Sequence, residues 1–245
     1  MDLVFGIIII LISAFIQGLT SFGLSMVAIP FLIRIIPLKE IVPIIVVLAL
    51  FTNIHILISF RKEIRLKNLG LLILAGILFI PTGTYSLKYF NSDYLKLFFG
   101  ILITGFSLLL ILKKTFPIKH EKIGYAIAGS LSGFLNGSLS LSGPPVVLFL
   151  SIQGVNKNTF RANTTVYFMI LNIVTIAIFF ANGLLNQAVF EKTLYFIPPL
   201  FIGVFAGIKA FKKLKEELFR KIVLVLLLVS GTYTTISTLI GLMNN

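Results

Sequence analysis

Eight apolar segments follow one another along the chain, at roughly 3–34, 41–59, 69–87, 95–112, 123–152, 164–183, 194–210 and 222–242, with only short polar links between them. A stretch of about 20 such residues crosses roughly 30 Å of hydrocarbon. No soluble domain needs that much apolar surface. Of the 245 residues, 58% are hydrophobic and 12% charged, against roughly 45–50% and 25% in soluble chains. The mean hydropathy is +1.06. The pattern predicts an all-α polytopic membrane protein. A membrane β-barrel would need alternating segments of about ten residues, which this sequence does not have.

The opening run "MDLVFGIIIILISAF" has no basic region and no small-residue cleavage site, so it is expected to be retained rather than removed. There is no cysteine, which excludes disulfides, thiolate metal sites and thiol redox chemistry. The net charge of +13 does not point to nucleic acid, because the basic residues fall in short links between apolar segments, where membrane orientation demands them. No long hydrophilic stretch is present to form an appended soluble domain.

Segments 3–34 and 123–152 are too long for one span. Each is interrupted by a polar, helix-hostile run, "QGLTSFG" (Gln17–Gly23) in the first and "NGSLSLSGPP" (Asn136–Pro145) in the second. The two halves also match. A shift of 119 residues places Phe15, Gln17, Gly18 and Asn53 on Phe134, Asn136, Gly137 and Asn172. A shift of 124 places Gly83, Lys88, Asp93 and Lys96 on Gly207, Lys212, Glu217 and Arg220. Paired polar matches are harder to obtain by chance than apolar ones, so an internal duplication is expected, with repeats at 1–115 and 121–245.

Charge discriminates between topologies. If each long segment crosses once, Lys and Arg divide as 12 and 9 between the two sides. If each dips in and returns, one side carries 16: Arg61, Lys62, Arg65, Lys67, Lys113, Lys114, Lys119, Lys122, Lys157, Arg161, Lys209, Lys212, Lys213, Lys215, Arg220 and Lys221. The other carries 5: Arg34, Lys39, Lys88, Lys96 and Lys192. The positive-inside rule asks for the second division. Each repeat is then one broken, re-entrant hairpin plus three spans. Three is odd, so the repeats are inverted, as in many secondary transporters. Both termini are expected outside the cytoplasmic (inner) membrane.

Non-helical backbone at membrane depth must be buried in protein or line a wet cavity. One break per repeat therefore points to one site near the midplane. A short helix is expected to begin near Leu24 after the first break, and at Pro144 and Pro145 after the second, proline being favoured in a first helical turn. Gly18, Gly23, Gly137 and Gly143 allow close backbone approach. A helix N-terminus offers free N–H groups and a partial positive charge to an anion. The hydroxyls of Thr20, Ser21, Ser138, Ser140 and Ser142, and the amides of Gln17 and Asn136, can add neutral donors. Asn53 and Asn172 lie deep in their spans, either bonded to a neighbouring helix or facing the substrate path. Asn163, Thr164 and Thr165 read as the opening of a span. Arg161, just before them, is an orientation charge at the cytoplasmic mouth that could also attract anions.

All eight carboxylates (Asp2, Glu40, Glu63, Asp93, Glu121, Glu191, Glu216 and Glu217) fall at links or segment ends, so no buried acid is available as a proton or sodium carrier. His55 is the one titratable group well inside a span. It is either locally hydrogen-bonded or a proton relay. No cofactor or metal is expected, and the sequence sets no oligomeric state.

"GLTSFGLSMVAIPFL" and "SGPPVVLFL", each opening one half of an eight-segment chain, resemble the TauE/SafE family of sulfite exporters. "FRANTTVYFMILNIVTIAIFFANGLL" is similar to that family's stretch after the second break, with Arg161–Ala162–Asn163, Asn172 and a closing Gly183. The resemblance spans essentially the whole chain. It implies transport of sulfite or an organosulfur anion across the cytoplasmic membrane, and a binding role for Asn136, Ser142, Gly143 and Pro144. An anion channel could use the same cage of donors. An intramembrane hydrolase is the enzyme alternative, with Ser142 in "SLSGPP" as nucleophile and His55 as base. Against it, Ser140 stands where a nucleophile turn needs glycine. An ATP-driven pump is disfavoured because no G-x-x-x-x-G-K-[ST] loop occurs.

Overall fold

The computed structural model describes residues 2–33, 35–64, 69–91, parts of 93–108, 121–152 and 156–243. Most of the expected span 95–112, the link between the two repeats, and Arg34, Arg65, Lys67, Lys96, Lys113, Lys114 and Lys119 of the charge count lie outside the described residues.

Among the described residues the fold is entirely helical. In chain order the helices are α1 (Asp2–Thr20), α2 (Gly23–Leu32), α3 (Leu38–Phe60), α4 (Leu69–Tyr89), α5 (Glu121–Leu139), α6 (Gly143–Ile152), α7 (Lys157–Ala181), α8 (Gln187–Lys213) and α9 (Glu216–Met243), with a 3₁₀ turn at Arg61–Glu63. Among the described residues, five stretches are long and apolar enough to cross a membrane: Leu3–Thr20, Leu38–Glu63, Leu69–Tyr89, Lys157–Ala181 and Gln187–Lys213. Large apolar side chains such as Ile58, Leu78, Phe180, Phe190 and Ile202 are exposed, which suits a surface solvated by lipid tails rather than water.

Helices in lipid gain little from apolar burial and associate by close packing, with small residues where backbones meet. Two pairs are built this way. On α1 and α8, Gly6 packs on Phe196, Gly203 on Ala14, and Gly207 on Gly18. On α4 and α5, Gly129 packs on Ala75, Gly133 on Gly76, and Gly137 on Thr84. In both pairs the contacts advance together, so the partners run parallel. Each pair joins one helix from either half of the chain.

The helix ends sort into two faces. On one, Lys192 of α8 pairs with Glu40 of α3, and the Lys39 ammonium donates to the Lys88 carbonyl at 2.9 Å. On the other, Lys157 of α7 donates to the Leu214 carbonyl, and the Arg161 guanidinium lies 4.5 Å from the Phe60 ring and 4.1 Å from the Phe211 ring. The start of α1, against Phe196, is one helical turn from Lys192.

The interruptions are shorter than the polar runs suggest. α1 continues through Gln17, Gly18 and Thr20 and stops only at Ser21 and Phe22. α5 continues through Asn136, Gly137 and Ser138 to Leu139, and the break is Ser140–Ser142. Within a packed bundle, Gly, Ser and Asn serve helix contacts as readily as turns, so the helices run on through them.

Candidate functional site

Each break begins with a serine in left-handed backbone. Ser21 has φ 76° and Ser140 φ 55°, the two non-glycine positive values among the described residues. The Ser21 N–H donates to the Gln17 carbonyl at 2.7 Å and the Ser140 N–H to the Asn136 carbonyl at 3.1 Å, closing each helix. The Leu141 N–H reaches back to the Leu135 carbonyl at 3.1 Å. The bond from Ser140 back to Asn136, like that from Ser21 back to Gln17, is the single return of an αL helix ending, with a serine in the place glycine usually takes.

Side chains then bridge the breaks. The Gln17 amide donates to the Ser21 carbonyl at 3.0 Å and to Asn53 Oδ1 at 3.1 Å, and its Oε1 accepts from the Leu24 N–H at 3.0 Å. One orphan donor of α2 is thereby satisfied by Gln17. In the other half, Asn136 Nδ2 donates to Asn172 Oδ1 at 3.3 Å and to Thr175 Oγ1 at 2.8 Å, and the Ser132 hydroxyl donates to the Ser142 carbonyl at 2.7 Å. The two amide pairs, 17 with 53 and 136 with 172, have the same spacing of 36 residues.

The breaks meet. One cavity is lined by Gln17, Phe22, Ser25, Ala49 and Asn53 from one half and by Asn136, Ser140, Ser142, Gly143, Phe168 and Asn172 from the other. Gly143 lies against the Phe22 side chain so closely that an added Cβ would stand 3.0 Å from the Phe22 Cβ. The cavity volume is about 10 Å³, room for one water centre. Buried polar atoms without a partner remain around it: Asn53 Nδ2, Asn136 Oδ1 and Ser21 Oγ. Unpaired buried polar atoms are costly and call for an explanation. The first turn of α6 offers fewer N–H donors than an ordinary helix start, because Pro144 and Pro145 have none. The donors at this end are amides and hydroxyls more than helix backbone.

Of the residues singled out in the sequence, Gln17, Asn53, Asn136, Ser140, Ser142, Gly143 and Asn172 line the cavity. Ser21 is buried in the turn next to Phe22, Gly23 opens the first short helix, and Pro144 lies in the first turn of the second. Others are placed elsewhere. Gly18 and Gly137 are helical and packed against the backbones of Val204 and Ile80. The Thr20 hydroxyl donates to the Ile16 carbonyl at 2.8 Å and the Ser138 hydroxyl to the Phe134 carbonyl at 2.8 Å, each within its own helix. His55 sits outside the cavity, its ring 6.1 Å and 6.4 Å from those of Phe201 and Phe205. Arg161, expected at an exposed mouth, is fully buried. Phe22, Ser25, Ala49 and Phe168 were not foreseen. A signal existed for two of them, since Ala49 and Phe168 each lie four residues before Asn53 and Asn172, on the same helical face.

No group of three His, Cys, Asp or Glu side chains able to hold a metal occurs among the described residues. Searches of curated proteins and of solved structures give no significant match. The family model described as sulfite exporter TauE/SafE matches residues 6–234. With that match over nearly the whole chain and long apolar helices on both sides of the paired breaks, the protein belongs to the TauE/SafE family of sulfite exporters, multi-pass membrane transporters and not enzymes.

Proposed function

We propose that the chain exports a small sulfur-containing anion, sulfite or an organosulfonate, by alternating access around the cavity between the two breaks. One observation carries the reading: two breaks from opposite halves share a cavity whose amide pairs have the same spacing. The binding residues would be Gln17, Asn53, Asn136, Ser140, Ser142 and Asn172, with Ser25 added. Neutral donors suit an oxyanion that must be released again, since each is weaker than a charge. An inside-negative potential drives anions outward by about 2.3 kcal/mol per charge per 100 mV. Export therefore needs no buried coupling carboxylate.

Inverted repeats at 1–115 and 121–245, each with a re-entrant hairpin, are part of the same proposal. The parallel pairing of α1 with α8 and of α4 with α5 supports the inversion. The first hairpin is supported by where its ends lie: the start of α1 and the start of α3 are both near Lys192, so α1 and α2 go in and come back. The side bearing Lys157 and Arg161 would be cytoplasmic and both termini external. At about 10 Å³ the cavity is too small for sulfite, whose arrival needs the walls to part. That favours a carrier over a continuous pore.

The test is flux into and out of proteoliposomes for sulfite, sulfate, thiosulfate and sulfonates, with and without a pH gradient. Saturable, voltage-sensitive sulfite flux is expected, with Asn53→Leu and Asn172→Leu reducing it at least about tenfold. Normal flux in both folded variants removes the cavity from the mechanism.

A further inference from the structure

We propose that Arg161 is the docking charge for the oxyanion on the basic side of the protein and that, while unoccupied, it latches the first break. The proposal rests on the cavity reading and supplies the charge that the cavity lacks.

Arg161 is 0% exposed. Among the described residues no ion pair joins it to a carboxylate. Its guanidinium donates to the carbonyls of Gly18 and, at 3.2 Å, Leu19. These carbonyls belong to the last turn of α1, where no helical N–H reaches them and the helix dipole is negative. The rings of Phe60 and Phe211, 5.3 Å apart and nearly perpendicular to each other, complete the cage from 4.5 Å and 4.1 Å, two cation–π contacts. Nε has no partner.

A dipole end and two ring faces compensate a buried cation only partly. An oxyanion offers a full charge and matches the guanidinium fork through two charge-assisted hydrogen bonds. Gly18 and Leu19 lie between Gln17, which lines the cavity, and Ser21, which makes the turn. When the anion takes the guanidinium from these carbonyls, the end of α1 loses its cap and the first break is free to move. The other half has no such device: under the 119-residue shift, Arg161 falls on Val42. The latch therefore acts from one side, the side that carries most of the Lys and Arg.

The chain has five arginines, so ¹⁵N spectra of the full detergent-solubilised protein contain few Nε resonances, and the one lost in R161K is that of Arg161. Sodium sulfite is titrated against sodium chloride at equal ionic strength. The Arg161 resonance is expected to move saturably with sulfite alone, with a midpoint within about threefold of the KM for flux. In flux, R161Q should lose at least about thirtyfold in kcat/KM, whereas R161K, which keeps the charge, should raise KM less than about tenfold with kcat retained. A resonance that ignores sulfite overturns the proposal. So do R161K and R161Q losing flux and melting temperature in parallel, the mark of a purely structural cap. A silent resonance together with flux that still depends on Asn53 and Asn172 sinks the latch and leaves the cavity standing. Normal flux in those two variants sinks the cavity instead.

Discussion

Gly83→Ala and Gly207→Ala should damage the protein to the same extent, although they lie 124 residues apart on different helices. A methyl at Gly83 would run into the Phe134 carbonyl oxygen and stand 2.9 Å from its carbon, and one at Gly207 would run into the Phe15 carbonyl oxygen and stand 2.9 Å from the Gly18 carbonyl carbon. Carbon atoms pack best at about 3.5–4.0 Å. Each helix pair must therefore part by at least about 0.6 Å, and a gap of about 0.5–1 Å forfeits a quarter to a half of each atom pair's attraction. The partner atoms are backbone, so no side chain can turn aside. Overpacking of this kind costs about 1–3 kcal/mol, less the roughly 1 kcal/mol by which alanine exceeds glycine in a helix. Rigid backbone partners put the cost at the upper end, about 2 kcal/mol net, and at about 2–4 °C per kcal/mol for a chain of this size the expected loss in melting temperature is about 4–8 °C. Gly70→Ala is the control, because nothing lies within 4 Å of the added methyl, and it should hold or raise the midpoint. The assay is thermal aggregation of the detergent-solubilised protein followed by size-exclusion chromatography. Unchanged midpoints in both variants, or a loss in one and not the other, would refute the paired close packing.

Ser140→Gly should raise the melting temperature by a few degrees, because a left-handed residue with a Cβ costs about 1–2 kcal/mol. If its hydroxyl also binds the anion, sulfite KM rises in the same variant, so stability and flux move in opposite directions. Asn136→Ala combined with Thr175→Val in a double-mutant cycle should give a coupling of about 0.6–1.7 kcal/mol, as for other hydrogen bonds between membrane helices; additive losses in denaturant unfolding would show that the 2.8 Å contact contributes nothing. Glu40→Gln removes the pair to Lys192, both side chains being partly exposed at 31% and 40%, and should change stability by less than about 1 kcal/mol. Because the chain has no cysteine, a single one placed after Asn245 reports topology directly: labelling by an impermeant maleimide from outside is expected, and labelling only from the cytoplasm contradicts external termini.

Spans were legible because hydropathy over about 20 residues reports nothing but the solvent around a helix. The breaks were legible too, but not their extent. Asn136, Gly137 and Ser138 look like turn residues, yet in α5 they pack on α4 and bond α7 while remaining helical. Arg161 shows the limit of local reading. Its position near a segment end suits a surface charge, and only the fold brings Gly18, Leu19, Phe60 and Phe211 around it. His55 was the opposite case. Two residues from Asn53, it is rotated about 200° around the helix and could have been placed away from the cavity from spacing alone.

The pairing of α1 with α8 has a consequence for biogenesis. The glycine-lined face of α1 meets its partner only after more than 180 further residues have been made. Until then the glycine face of the first hairpin has no partner, although Gln17 can bond Asn53 once α3 is made. At about 5–20 residues per second, that interval lasts roughly ten to forty seconds. Something must shelter the nascent hairpin meanwhile, either the insertion machinery or α3. A gene split between the halves would leave each product with two unmatched helices, α1 and α4 in one and α5 and α8 in the other, so neither half is expected to fold without the other.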